Sequence, residues 1–246
     1  MAHTNFILWP CGPELSCMPY LPCWSLPRPS ASLSVETGKA GRPDRDVVIT
    51  AHSHSLRCKL EYMDTLPDYL SEGLYFISIG LNPSVPSVTA GYYFANPRNS
   101  FWKALNGSRL INETLEPGAA AMQDLFKKYR IGFTDLVKRP TRMGKQLRVA
   151  DYRAGAPVLK EKLLSYQPNI AWFHGRDTYR HYLKFAEDME ITIPWGAQKY
   201  LIGKSRVFVT PNPSPANAQY SLDDLIKYYD AMVSYRIREL FGLGMG

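Results

Sequence analysis

The sequence predicts an α/β fold in which a parallel sheet is covered by helices on both faces. Two observations carry that expectation. Short β-branched and aromatic runs break off abruptly at Gly, His-Gly or Thr-Pro, and segments with helical spacing of apolar residues separate them. No internal repeat is visible, so one domain or one domain with a tail is expected from 246 residues.

The elements follow in chain order. Residues 1–58 carry Pro at positions 10, 13, 19, 22, 27 and 29, with Ser and Gly and no lasting period, and read as a poorly ordered or loosely appended segment. The pattern becomes globular from about residue 60, so residues 59–246 form the expected domain. Residues 66–70 predict a short helix or turn, and 74–79 (LYFISI) a buried strand. Helices are expected from residue 101, over 119–129 and over 160–166, the last stopped before Pro168. Residues 169–173 predict a second strand ending at His174-Gly175, and 177–187 a helix. A third strand is expected over 206–209, ending at Thr210-Pro211. Ser221 then caps a long final helix, with an acid, Asp224, three positions on.

A net charge of +7 and an isoelectric point near 9.2 make a polyanion the natural partner. The basic residues Lys127, Lys128, Lys138, Arg139, Arg142, Lys145 and Arg148 suggest a face rather than a tail. Cys11, Cys17, Cys23 and Cys58 match no zinc-site spacing and read as free reduced thiols. The first residues lack a basic start and are broken by prolines, and no apolar run is long enough to span a bilayer. The expectation is an intracellular, reducing location and no membrane.

Three stretches carry the chemistry. Residues 80–84, GLNPS, follow the first strand. Gly80 permits a close or φ-positive turn, and Pro83 keeps Asn82 out of helical geometry, at the strand's carboxyl end. Alone, GLNPS reads as a turn. The residues beyond it change that reading: Tyr92, Tyr93, Phe94, Phe101 and Trp102 interleave with Asn96, Arg98 and Asn99, which pairs flat faces with hydrogen-bonding groups. Residues 210–220, TPNPSPANAQY, also sit between a strand and a helix, so both loops leave the same sheet edge; this stretch reads equally as a rigid proline turn or as a loop laid against a DNA backbone. Residues 131–141, IGFTDLVKRPT, read as a strand or buried turn followed by a basic loop.

Together these motifs resemble one family, the mismatch-specific uracil DNA glycosylases and their relatives, the thymine DNA glycosylases. GLNPS looks like the family's GINPG motif, FANPRNSFWKAL like its aromatic pocket loop, IGFTDLVKRPT like its GxTxLVxRPT segment, and FVTPNPSPANAQYS like its DNA-intercalating loop. The likeness runs in order from about Thr65 into the final helix. It implies a three-layer α/β/α sandwich around a mainly parallel four- to five-stranded sheet. It also implies a monomer that flips uracil or thymine out of G:U or G:T mispairs in double-stranded DNA and cuts the N-glycosidic bond with water, using no metal and no organic cofactor. A bacterial cytoplasm or a eukaryotic nucleus would be its place.

By the same resemblance Asn82 positions the attacking water, helped by Thr141. Gly80, Leu81, Pro83, Ser87, Phe94 and Asp135 line the base pocket, with Phe94 stacking on the base. Ser214, Pro215, Ala216 and Asn217 grip the backbone and fill the gap in the duplex. Lys138 and Arg139 read as a solvated basic face or, since they adjoin Thr141, as phosphate contacts, with the phosphate role favoured. The sequence departs from the pattern in places. Ala216 stands where relatives have Leu or Arg, Ser84 where the motif has Gly, and Ser87 where thymine-acting relatives have Ala, which favours uracil. Asp135 replaces Asn or Lys and reads either as an acceptor for the N3 proton of uracil or as a surface acid. His174 has no catalytic match and reads as structural. The chain also remains open to being an inactive mismatch-binding module or a nucleotide-binding α/β enzyme, although it has no GxGxxG or Walker motif.

Overall fold

A computed structural model describes residues 65–217 and 219–241. The expectation for residues 1–58, including all four cysteines, lies outside the described residues. Five strands are present: β1 (Phe76–Gly80), β2 (Ile131–Asp135), β3 (Ile170–His174), β4 (Gly196–Ala197) and β5 (Arg206–Thr210). They form one sheet in the order β2-β1-β3-β5-β4, parallel except for β4. The helices are α1 (Val85–Ala90), α2 (Phe101–Asn106), α3 (Ala119–Lys127), α4 (Val149–Tyr166), α5 (Arg176–Ala186) and α6 (Leu222–Phe241).

Alternation along the strands divides the core into two layers. Phe76, Phe133, Ile170, Trp172 and Phe208 pack with Phe101, Leu105, Met122, Leu125, Leu225, Tyr229 and Met232 from α2, α3 and α6. Ile77, Ile79, Ala171, Phe173, Val207 and Val209 face the other way, onto Tyr152, Leu159 and Leu163 of α4 and Tyr179, Tyr182 and Leu183 of α5. Each fully buried side chain of this kind stabilises by about 1.5–3 kcal/mol. The expected three-layer α/β/α arrangement is what forms, and it explains why the strands read as unbroken apolar runs.

Residues 66–70 are neither helix nor turn. Pro67 lacks an amide proton, and Tyr69 runs extended beside Phe133, exchanging backbone hydrogen bonds of 2.9 and 3.0 Å with it. The helix expected over 160–166 begins eleven residues earlier, at Val149. Pro157 lies inside it, and the carbonyl it leaves without an amide belongs to Arg153, an exposed residue. The sequence reading missed helix α1, although Ser84 caps it, Pro86 lies in its first turn and Gly91 (φ 77°) ends it, and the two-residue strand β4 lacks a sequence signal. Ser221 caps α6 as expected: Asp224 N donates to Ser221 Oγ and Ser221 N donates to Asp224 Oδ2.

Register brings the strand ends level. Gly80 pairs with Asp135 and His174 with Thr210, so one row of residues closes the sheet's carboxyl edge. The loop after β2 is then zipped to the loop after β1. Leu136 N donates to Gly80 O (2.9 Å), Val137 N to Leu81 O (3.0 Å), Thr141 N to Pro83 O (3.2 Å) and Val85 N to Thr141 O (3.3 Å).

Gly155 of α4 supports that zipper from behind, because a Cβ there would collide with the Leu136 carbonyl oxygen. Alanine is the better helix former by about 1 kcal/mol, but overpacking a rigid backbone costs roughly 1–3 kcal/mol. Gly155→Ala is therefore expected to lower the urea midpoint at unchanged slope; a raised midpoint would show that α4 can shift freely.

Candidate active site

Both proline-containing loops line one cleft of about 1110 Å³ above the carboxyl edge of the sheet. It is walled by Gly80, Leu81, Asn82, Pro83, Ser84 and Ser87 on one side, by Phe94 and the Asn96–Asn99 turn on another, and by Asn212 and Ser214, Pro215, Ala216 and Asn217 opposite. Asp135, Thr141 and His174 close the floor.

The Asn82 side chain is fixed by its donors. Nδ2 reaches Thr141 Oγ1 at 2.8 Å, Arg139 O at 3.0 Å and Pro83 O at 3.2 Å. Two of these partners are carbonyl oxygens, which only accept, so the nitrogen must face them. Oδ1 is thereby left for a ligand. Thr141 Oγ1 accepts from Asn82, and its own proton is free to donate.

Phe94 holds a left-handed backbone (φ 58°), costly for a residue with a Cβ. Its ring stacks on Phe101 at 4.0 Å and meets His174 edge-on. Ser87 is buried, and its Oγ accepts from Ala95 N (3.2 Å) and pairs with Ser84 Oγ (2.9 Å), which ties the aromatic loop to α1. His174 is buried with Nε2 2.8 Å from Ser78 Oγ, and burial lowers its pKa to about 3, so the ring is neutral.

Asp135 is not a surface acid. It is 4% exposed, and its Oδ2 is buried without a hydrogen-bond partner. Burial pushes its carboxyl up to about 7; Lys138 works against this, Asp68 adds to it, and Lys162 and the Tyr93 hydroxyl oppose it.

Lys138 and Arg139 do not reach the cleft. Lys138 Nζ donates to Asp68 Oδ1 (2.8 Å) and Leu66 O (2.7 Å), while Arg139 grips Asp151 through Nε (2.9 Å) and Nη2 (2.7 Å). The expected basic face is thus partly consumed by internal ion pairs, and of it only Arg142 and Lys145 line the cleft. Arg98, already singled out in the aromatic loop, joins them with Arg176 and Arg180, and the sequence reading missed the last two. Arg176 could have been found, since it directly follows Gly175 at the end of β3; its guanidinium lies 4.1 Å over the Trp195 ring.

Residues 67–233 match the family model described as the uracil DNA glycosylase superfamily. The chain belongs to the uracil DNA glycosylase superfamily. Among curated proteins it is 35% identical over 159 residues to the G/U mismatch-specific uracil DNA glycosylase of Schizosaccharomyces pombe, covering 63% of this chain and 49% of that relative. The chain therefore spans about half the length of the curated relative it matches. Among solved structures it is similar to the solution NMR structure of a candidate uracil DNA glycosylase from Methanosarcina acetivorans, at 21% identity and a TM-score of 0.45, over 72% of this chain and 98% of that one. For a member of this superfamily the cleft combines a neutral amide, a neutral imidazole and a largely uncompensated carboxyl at its centre with cations at its rim.

The perturbed groups make stability depend on pH in opposite senses. Asp135 has a folded pKa above its unfolded value of 3.8, so the native state holds a proton that the unfolded chain has lost between about pH 4 and 7. That stabilisation is full below about pH 4 and lost as the pH rises through 7, about 4 kcal/mol in all. His174 acts oppositely, because below its unfolded value of 6.5 the unfolded chain takes up a proton that the native state refuses. The difference between wild type and Asp135→Asn isolates the first effect. Denaturation at about pH 4 and pH 8 should show the variant gaining on wild type by several kcal/mol. A constant difference would mean that Asp135 is already ionised in the native state at the lower pH.

Proposed function

We propose that the chain is a monofunctional DNA glycosylase, acting as a monomer on double-stranded DNA, that flips uracil from G:U mispairs and hydrolyses its bond to deoxyribose, with thymine in G:T a poorer substrate. The observation that carries this reading is the Asn82 amide, clamped through Nδ2 with Oδ1 left free, in the same cleft as Phe94 and the 212–217 loop. The name of the fission-yeast relative, a G/U mismatch-specific uracil DNA glycosylase, agrees with it.

A water placed there donates to Asn82 Oδ1 and accepts from the Thr141 hydroxyl, and its remaining lone pair faces the anomeric carbon of an inserted nucleotide. Asn82 cannot take the water's proton, so the reaction relies on the base as leaving group and is slow. Uracil leaves as a better anion than cytosine does, and extrusion from a mispair costs less than from a sound pair. Phe94, preset by its backbone and backed by Phe101, supplies the stacking face. Ser87, buried at the pocket wall, crowds a 5-methyl group. The 212–217 loop is braced for contact with the duplex: Asn217 Nδ2 donates to Asn212 O, Ser214 N to Asn212 Oδ1, and Ser100 N to Pro213 O. Pro215 and Ala216 stand exposed at its tip. Arg98, Arg142, Lys145 and Arg176 then meet phosphates.

Incubation with G:U, G:T, A:U and single-stranded uracil substrates, followed by alkaline cleavage of abasic sites, tests this directly. Cleavage of G:U above G:T is expected. Asn82→Ala should lose at least about a hundredfold in rate while keeping DNA affinity, and Thr141→Val roughly tenfold. Binding of the mispair without abasic product would identify a damage-binding module instead, and indifference to DNA with retained nucleotide a different enzyme.

A further inference from the structure

Resting on the glycosylase reading, we propose that Asp135 works as a neutral carboxylic acid that donates a hydrogen bond to a carbonyl oxygen of the departing base. Geometry leads to this assignment. Asp135 ends β2 level with Gly80, two residues before Asn82, and both line the cleft floor. A Cβ on Gly80 would collide with Asp135 Oδ1, so the carboxyl lies directly over that glycine. Its Oδ2 is buried without a partner.

Among the described residues no cation compensates it by contact. The two lysines nearest in charge terms are spent on another acid: Asp68 takes Lys138 at Oδ1 (2.8 Å) and Lys162 at Oδ2 (2.7 Å), with Thr134 Oγ1 donating to Oδ1 as well (2.9 Å). Tyr93, the remaining titratable neighbour, has its hydroxyl 3.2 Å from Pro67 O and still near enough to the Asp135 carboxyl to oppose its protonation weakly. An ionised carboxylate in this position would face a base that is itself becoming anionic, with like charges in a water-poor pocket. A neutral carboxyl instead presents a donor beside an acceptor, the complement of the N3–H and adjacent carbonyl of uracil. The position of its pKa, about 7, keeps a large protonated fraction at neutral pH.

The step balances without further reagents. The N1–C1′ bond breaks and its electron pair leaves with the base, which departs as the anion while its carbonyl oxygen accepts from the Asp135 hydroxyl. The water oxygen bonds to C1′, and the proton it sheds passes to solvent.

The test is single-turnover excision of uracil from a G:U duplex between roughly pH 5.5 and 9 by wild type, Asp135→Asn and Lys162→Met, with melting temperatures at each pH. Wild type should slow above about pH 7, approaching tenfold per unit. Asp135→Asn, whose amide donates at every pH, should be level and exceed wild type about tenfold or more at pH 9. Lys162→Met removes a cation that favours ionisation, so its alkaline limb should move to higher pH. A wild-type rate that is level or rising to pH 9, or the same limb in Asp135→Asn, overturns the acid role and leaves the glycosylase reading standing. Absence of abasic product from wild type at every pH overturns both. Should Asp135→Asn fail to fold, carbon-13 NMR titration of the wild-type carboxyl decides: a group fully ionised by about pH 6 refutes the proposal.

Discussion

The clamp on the Asn82 carboxamide is the interaction on which the rest of the cleft depends. Its two carbonyl acceptors, Arg139 O and Pro83 O, belong to two loops that are themselves zipped together from Gly80 to Val85 and from Leu136 to Thr141. Each bond contributes only about 1 kcal/mol, but they restrain the same few torsions, so the amide is held with little freedom left to lose when a substrate arrives. A side chain that can neither donate nor accept a proton strongly has position as its main contribution. The zipper converts two flexible proline turns into a frame rigid enough to supply it.

The frame explains where the basic residues went. Lys138 and Arg139 lie in the strand-to-loop segment that the zipper immobilises, and their side chains leave on the side away from the cleft, to Asp68 and Asp151. Arg139 still serves the site through its carbonyl oxygen, which accepts from Asn82. A cation beside the amide would also have held Asp135 in its ionised form. Keeping the cations at the rim lets them meet a polyanion while the centre stays neutral and poorly solvated, where a dipole is worth more than in water.

The sheet was legible because buried parallel strands are nearly uniform apolar runs, as in residues 76–79 and 170–173, and because each stops at a residue that cannot continue it. Helices with a strong apolar face, such as α3 and α5, were equally plain. The first half of α4 was not: Gly155 and Pro157 are locally wrong for a helix, and they are tolerated where Gly155 packs against Leu136 and Pro157 sits on the exposed face beside Arg153. Asn82, Phe94, Thr141 and the 212–217 loop came together because strand ends of a parallel sheet share an edge. The direction of a side chain after a strand has no such rule, which is why Lys138 and Arg139 were placed on the DNA side and Arg176 was overlooked.

Gly80 shows how tightly sequence and chemistry are joined at this edge. The sequence suggests that it serves a turn, but its backbone needs no left-handed conformation; what requires glycine is the Asp135 carboxyl occupying the space of a Cβ. The two residues are register partners on adjacent strands, so neither can move without shearing the sheet. A larger residue at 80 would have to displace the carboxyl from the place that burial gives it, without touching Asn82. Glycine at that position therefore sets an electrostatic property of the site through packing alone.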